Sequence, residues 1–453
     1  MESDAQIPLV DRAAIVVAAS VWYHEDVMDA IRKAISSKSY EQNYWVKTQS
    51  RVTENIQSLP LTVLTKHRVQ DFSAFITNGI QQWLQDNYFL TIDGKVLSNL
   101  LCWNPKGVID CTETAKRVIS HESNIINRFR IACMYCLENY IFQLWEELIE
   151  HHYLQYNILM ECFEVKFWIS YIKHNLSTLM DEIEYIGSKD TLWFAFNISV
   201  TNNNVIWIEH FLKKMREDQM CIMAYSKLKY ILEMKMAFNY KMIPLLSRYV
   251  SSEMFDDLIL SYPGTILLQF LQFPTTGSFL KIANKTWDVL SDDDFYKITE
   301  KIGHYLQEYA GNQIFKNIFE SFWRNSPDHC KIYVIRKCID GSFLNRLGLL
   351  RHSSPIIKLI IQSSTIDQRK EMIFSYNGIL FFDSLVRKSR WGCFCMSVQE
   401  FSGSEDRENW INDLICTYKC IFETSRFPSF KYKGFEKLID VLEKQKNKNI
   451  CTK

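Results

Sequence analysis

The amino-acid sequence predicts an all-α protein, because turn-forming residues are few, apolar residues follow helical spacing and one interval recurs along the chain. The 453-residue chain contains 14 Gly and 9 Pro, whereas average usage would give roughly 30 and 20. All-β folds need many turn residues and are disfavoured by this scarcity. Hydrophobic residues make up 47% of the chain, which is enough apolar surface for a large core and excludes wholesale disorder.

Helical spacing is clearest in the segment LENYIFQLWEELIEHHYLQY (137–156). Ile141, Leu144, Trp145 and Leu148 stand at positions i, i+3, i+4 and i+7, which places them on one face of an amphipathic helix. The breaks between such segments are short, for example NPKG, TNNN, PTTGS and HSSP. None is long enough to predict a flexible linker between domains.

Five segments share one layout, in which an apolar helix end is followed by a polar, often acidic turn and then by apolar residues. Their anchors are Phe211, Tyr249, Trp287, Phe322 and Ile360, which are 38, 38, 35 and 38 residues apart. Such a step holds two helices of about 12 residues and two turns. Because a single hairpin cannot bury its apolar stripe, the interval predicts an α-solenoid of stacked helix hairpins with a 35–38-residue period. An irregular helical bundle that gives this spacing by chance is the alternative.

Residues 192–380 resemble degenerate ankyrin-like or HEAT-like helix-pair repeats, although the ankyrin motif T-P-L-H-x-A is absent. The stretch RFRIACMYCLENYIFQLW also resembles a segment of uncharacterised, expanded arthropod families with divergent helical repeats. These resemblances imply a helical-repeat fold and name no activity. The interval is not kept in residues 1–186, which are predicted to be an N-terminal helical region or cap. A helix-pair repeat array follows (187–400), and the break SGSED marks a C-terminal helical cap (401–453).

Charge and hydropathy indicate where the protein acts. Lys+Arg and Asp+Glu both number 52, so the basic excess typical of nucleic-acid binding is missing. Asp11 and Arg12 interrupt the apolar N-terminal stretch, whereas the apolar region of a secretory signal is uninterrupted. The apolar run 258–273 is broken by Pro263-Gly264, which predicts two buried helices and no membrane span. Thirteen scattered cysteines indicate reduced thiols and a cytoplasmic location.

Cys133 and Cys136 form a C-x-x-C motif, which raises the possibilities of a metal or redox site. A structural zinc site would need a second C-x-x-C or an H-x3–5-H nearby, and a redox motif normally follows a strand. We therefore interpret the pair as packed core on one face of a continuous helix. The same interpretation applies to Cys393, Cys395, Cys416 and Cys420, even with His329 and His352. The other candidate ligands near the first motif do not form a second C-x-x-C or an H-x3–5-H; they are Cys102, Cys111, His151, His152 and Cys162.

Motifs for catalysis are missing from the sequence. There is no G-x-S-x-G, H-E-x-x-H, phosphate-binding loop or G-x-G-x-x-G, so no enzyme activity, cofactor or small-molecule substrate is expected. Asp292, Asp293 and Asp294 could chelate a cation, but the following residues lack the Gly and Glu of a calcium loop. A helix-capping turn is the preferred interpretation.

The predicted function is a non-enzymatic scaffold that binds another protein, because stacked helix pairs present extended surfaces. Acidic residues of the repeat turns would line one edge and steer a partner with a basic surface. One alternative is a helical enzyme, possibly a thiol hydrolase, with a composite site. Membrane attachment through the basic tail (431–453) is a weaker alternative. The candidate interaction residues are Asp256, Asp257, Asp292, Asp293 and Asp294, with Glu217, Asp218, Asp328 and Asp367 at similar positions.

Overall fold

The computed structural model is entirely helical in the part of the chain that it describes. That part contains 25 α-helices, one 3-10 helix and no strand, with a single isolated bridge between Trp103 and Ile109. The all-α prediction is confirmed. The described residues are 9–24, 26–27, 42–87, 89–90, 99–104, 107–150, 162–185, 187, 190–234, 241–272, 274–308, 313–341, 343–350, 352–402, 407–424 and 433–446.

The chain divides into two compact units. Unit 1 consists of Met1–Leu258 and Gln272–Gly277, and unit 2 consists of Ile259–Leu271 and Ser278–Lys453. This division falls inside the region predicted as one repeat array. Among the described residues, no helix is both long and apolar enough to cross a bilayer.

Unit 1 carries twelve helices and most of a thirteenth within the described residues. They are α1 (Leu9–Trp22), α2 (Gln42–Ser58), α3 (Val63–Asp86), α4 (Cys111–His121), α5 (Ile125–Met134), α6 (Glu138–Glu150), α7 (Phe163–Ile172), α8 (Leu176–Glu182), α9 (Thr191–Thr201), α10 (Val205–Lys214), α11 (Glu217–Met234), α12 (Met242–Leu246) and α13 (Ser252–Ser261), with a 3-10 helix at Ser247–Tyr249.

An aromatic cluster forms the core between α7, α9 and α10. The rings of Phe167 and Trp207 meet edge-on with centroids 5.0 Å apart, and Phe211 lies 5.6 Å from Phe167. Asn204 starts α10 by accepting a hydrogen bond from the backbone N–H of Trp207 at 3.1 Å. Such a cap satisfies one of the free donors at a helix start, so the cap fixes where Trp207 enters the core.

The C-x-x-C segment is not a continuous helix, contrary to the prediction. Helix α5 ends at Met134, and Cys136 adopts a left-handed backbone with φ 51°. The N–H of Leu137 donates to the carbonyl of Ala132 at 2.9 Å, and that of Cys136 to Cys133 at 3.3 Å. These two bonds define a Schellman C-cap. Cys133 and Cys136 are both buried, as predicted, but they do not share one helix face.

Unit 2 carries the remaining helices of the described residues. They are α14 (Pro263–Phe270), α15 (Thr276–Thr286), which begins with two residues of unit 1, α16 (Asp292–Glu308), α17 (Gln313–Asn325), α18 (Asp328–Ile339), α19 (Phe343–Leu349), α20 (Ser354–Gln362), α21 (Ile366–Ile373), α22 (Tyr376–Arg387), α23 (Trp391–Ser402), α24 (Arg407–Thr424) and α25 (Lys433–Lys446).

Helices three places apart along the chain pack on each other in unit 2. Helix α17 packs on α20, α18 on α21, α19 on α22, α20 on α23, and α22 on α25. The step from Gln313 to Ser354 therefore holds three helices, not the expected two. Three fit because α18 and α19 have only 12 and 7 residues.

Side chains join residues about one step apart along the chain. The predicted anchors Trp287 and Phe322 are in ring contact, with centroids 5.2 Å apart. Polar contacts over 38 to 42 residues repeat this spacing. They join Trp323 to Ser363, Gln362 to Glu400, Asn377 to Ile339 and Arg390 to Gly348.

Candidate functional site

The candidate interaction residues lie in two different settings. Asp256 and Asp257 stand in the middle of α13, in unit 1, and not in a turn as the sequence analysis expected. The turn comes earlier because Ser251 caps the helix, accepting from the N–H of Met254 at 3.2 Å. Asp292, Asp293 and Asp294 occupy the first turn of α16 in unit 2. The positive end of the helix dipole stabilises carboxylates at this position.

The three carboxylates of this first turn have different neighbours. Asp294 accepts from the hydroxyl of Ser291 at 2.8 Å and is turned toward α14, where a Cβ on Gly264 would stand 2.4 Å from its Cγ. Asp293 forms an ion pair of 2.6 Å with Lys297, and the hydrogen bond from that lysine lowers the pKa of Asp293. Asp292 faces α18.

Helices α16 and α18 run parallel with their N-termini side by side. Asp292 contacts His329 in the first turn of each helix, and Tyr296 contacts Tyr333 one turn later. In each pair the two residues are 37 positions apart in the sequence. Helix α21 packs on α18, and Asn377, just beyond α21, donates to the carbonyl at the end of α18. The first turns of α16, α18 and α21 therefore lie on one edge, which we call the N-terminal edge.

The N-terminal edge mixes charged and apolar side chains. Asp328 is exposed and lies 3.5 Å from Lys331, so its charge is balanced one turn later, as that of Asp293 is. Three aliphatic side chains within about a turn of these helix starts remain exposed: Val289, Ile332 and Ile366. The edge is thus less acidic than a ridge of unpaired carboxylates would be.

Asp292, His329 and Cys330 bring three different donor atoms together on this edge. Nδ1 of His329 donates to Oδ1 of Asp292 at 2.6 Å, and Sγ of Cys330 lies 3.6 Å from the same nitrogen. All three ligand atoms lie within 4.8 Å of one another. Burial, with a further contribution from Asp292, raises the pKa of the Cys330 thiol to about 12.

This cluster does not have the geometry of a thiol hydrolase. Such an enzyme needs one imidazole nitrogen on the thiol and the other on an orienting group. Here the carboxylate and the sulfur approach the same nitrogen of His329. A raised thiol pKa also leaves Cys330 protonated at neutral pH, whereas the attacking species is the thiolate. Cys, His and Asp are, however, each residue types that bind zinc in proteins.

The other cysteines considered from the sequence lie elsewhere. Burial raises the pKa of both Cys133 and Cys136 well above the usual value of 9.0. Cys393 and Cys395 are buried in α23, and Cys416 and Cys420 are exposed on α24. Within the described ranges, only the Asp292 cluster groups three potential ligands. His151 and His152 lie outside the described residues.

Sequence reasoning missed the cluster, although a signal for it was present. His329 and Cys330 follow Asp292 by 37 and 38 residues, which is one predicted period. In a repeat array, residues one period apart lie side by side. Reading the period as a contact map would have joined the three residues.

Comparison with known proteins gives no relative to guide the assignment. A scan with protein-family models finds no family that matches this chain. A search of curated protein sequences finds no match either.

Proposed function

We propose that the chain is a non-enzymatic scaffold that binds another protein, and that the N-terminal edge of unit 2 is its binding surface. On this proposal unit 2 is a repeat array with a step of about 38 residues, which contains two helices from α16 to α18 and three short helices from α17 to α20. The packing of helices three places apart supports it. The contacts over 37 to 42 residues support it as well.

The observation that carries the binding surface is the exposure of Val289, Ile332 and Ile366 on one edge. Single exposed aliphatic residues are common on any protein surface. These three share the edge with acid–base pairs such as Asp328–Lys331, in which the aspartate is exposed. Apolar side chains surrounded by a polar rim are the usual composition of a protein–protein interface. The partner would therefore present an apolar contact and charged side chains to this edge.

A cytoplasmic site of action agrees with the cysteines. None of the twelve cysteines in the described ranges takes part in a disulfide bond, and reduced thiols persist where the compartment is reducing. The competing hypothesis, a helical thiol hydrolase, would need an activated cysteine. Cys330 lies beside His329 in the Asp292 cluster, but the pKa of its thiol is raised, whereas an activated cysteine has a lowered pKa.

The test is affinity capture from cell lysate followed by cross-linking mass spectrometry. The double variant Ile332→Asp/Ile366→Asp places charge on the edge, and Ile222→Asp is the control, because Ile222 is at least as exposed and lies on α11 in unit 1. We expect the captured proteins to be lost with the edge variant and kept with the control. Cross-links from wild type should map to α16, α18 and α21. An edge variant that captures the same proteins through the same cross-links would refute the assignment.

A further inference from the structure

We infer that Asp292, His329 and Cys330 form a transition-metal site, with zinc as the favoured ion. The three donors come from two helices of consecutive steps: Asp292 opens α16, whereas His329 and Cys330 lie in the first turn of α18. An ion held here would join one step of unit 2 to the next. The site is independent of the proposed protein-binding role.

Two of the three ligand-to-ligand distances can be compared with those around a tetrahedral ion. At usual zinc bond lengths, sulfur and nitrogen ligands stand about 3.5 Å apart, and Sγ of Cys330 lies 3.6 Å from Nδ1 of His329. Nitrogen and oxygen ligands stand about 3.3 Å apart, whereas Asp292 and His329 are now hydrogen-bonded at 2.6 Å. The ion would take the position along Nδ1 that the carboxylate now occupies, so Asp292 must also rotate away from this axis, and its side chain, 39% exposed, has room to do so.

The donor set decides which ion is favoured. Magnesium and calcium prefer sites built from oxygen ligands, and this cluster contributes one carboxylate only. Thiolate and imidazole favour zinc, and three protein ligands leave a fourth position for water. Lys331, the next residue along α18, is paired with Asp328 at 3.5 Å, which keeps its charge near that carboxylate.

Binding would release one proton. Nδ1 of His329 now carries a proton that it shares with Asp292, so the imidazole must shift that proton to Nε2 to offer its Nδ1 lone pair. The thiol of Cys330 loses its proton to solvent when sulfur binds the ion. No oxidant or reductant takes part, and the zinc ion supplies the charge that holds the thiolate.

The experiment uses Co²⁺ as the probe in the full-length chain. The background carries Cys416→Ser and Cys420→Ser, because these exposed thiols on α24 could bind cobalt by themselves. We expect one Co²⁺ per chain and a sulfur-to-cobalt charge-transfer band that stoichiometric Zn²⁺ removes. Cys330→Ser should abolish the band. His329→Gln and Asp292→Asn should weaken binding at least tenfold, about the loss caused even by outer-shell substitutions.

Matched controls separate the site from general thiol or carboxylate binding. Cys338→Ser changes a buried cysteine of the same helix, and Asp293→Asn changes the neighbouring acid of α16. Both should keep the band. His329 is largely exposed, so His329→Gln remains informative even where Cys330→Ser lowers the helical circular dichroism. Absence of cobalt uptake by the background protein, or a band unchanged in His329→Gln, would overturn the inference.

Discussion

The indole N–H of Trp207 donates a hydrogen bond of 3.0 Å to the backbone carbonyl of Cys133, a residue 74 positions earlier in the chain. That carbonyl belongs to the last turn of α5, where helix carbonyls have no partner within the helix. The C-x-x-C segment is therefore held from α10 through its backbone. Its two sulfur atoms are buried beside this contact, and we expect them to serve packing.

The first prediction concerns this hydrogen bond. Trp207→Phe should lower the free energy of unfolding by more than Trp168→Phe does, by roughly 1 kcal/mol. Both indoles are buried and both substitutions remove the same volume, but the N–H of Trp168 has no acceptor within the described ranges. Chemical denaturation of the two variants measures the difference. Equal losses would mean that the bond to Cys133 contributes no net stability.

The sequence predicted which residues of this region are buried, but not where its helices end. Apolar spacing continues through residues 125–150, so the run reads as one helix. The break depends on the left-handed backbone of Cys136, a position where glycine would be expected. By contrast, TNNN at 201–204 does mark a helix end, as its polar residues predict. Asn203 adopts the left-handed backbone there, which asparagine does readily.

The recurring interval was the most informative sequence signal for unit 2. It placed Trp287 and Phe322 at equivalent positions, and the two rings are in contact. It could not reveal three helices per step, because helices as short as Phe343–Leu349 have too few turns to show periodicity. The Asp292–His329 contact spans the same interval, 37 residues, so the period alone could have predicted it.

The second prediction uses the left-handed helix ends. Ser389 has φ 53° and is exposed after α22, and the same C-cap occurs at His174, Glu184 and Asn203. Ser389→Gly should raise the free energy of unfolding by about 0.5–1 kcal/mol, because glycine adopts this backbone without the Cβ penalty.

Two comparisons check that the gain at Ser389 comes from the backbone. Ser389→Ala keeps a Cβ and should give no increase in stability on thermal unfolding. Cys136→Gly relieves the same backbone conformation but deletes a buried side chain, so its gain should be offset by lost packing. A Ser389→Gly protein no more stable than Ser389→Ala would contradict the explanation.

The third prediction concerns stability at acid pH. Oε1 of Glu138 accepts a hydrogen bond from Nε2 of His210 at 3.0 Å and another from Lys214. Burial alone would raise the pKa of Glu138, but the hydrogen bonds and charges of Lys214 and His210 lower it below the usual 4.5. Burial lowers the pKa of His210 below 6.5. In both groups the folded chain binds its proton more weakly than the unfolded chain does.

The sign of the effect follows from these two directions. The contribution of His210 to the free energy of unfolding is complete above pH 6.5 and is lost as pH falls through its lowered pKa. The contribution of Glu138 is complete above pH 4.5 and is lost as pH falls through the lowered pKa of that carboxyl. Glu138→Gln should therefore flatten the fall of unfolding free energy below about pH 4.5. Glu146→Gln, on the exposed face of the same helix, should leave the slope unchanged. Urea titrations at several pH values measure how the free energy of unfolding changes with pH. The same pH dependence in both variants would contradict the role of Glu138.

The last prediction returns to the acidic residues, whose part in binding stays a prediction. Asp293 and Asp328 are exposed acids of the N-terminal edge, as is Asp367, and the lysine partners of the first two give only weak pairs at the surface. Reversing both to Lys should slow association with the captured partner, because opposite charges steer the encounter. Raising salt should slow the wild-type protein toward the variant. The matched comparison is Asp256→Lys/Asp257→Lys on α13 of unit 1. A slower rate in that variant as well would extend the acidic surface to these residues, whereas unchanged rates in both variants would leave all of these acids as helix-stabilising and solvated surface only.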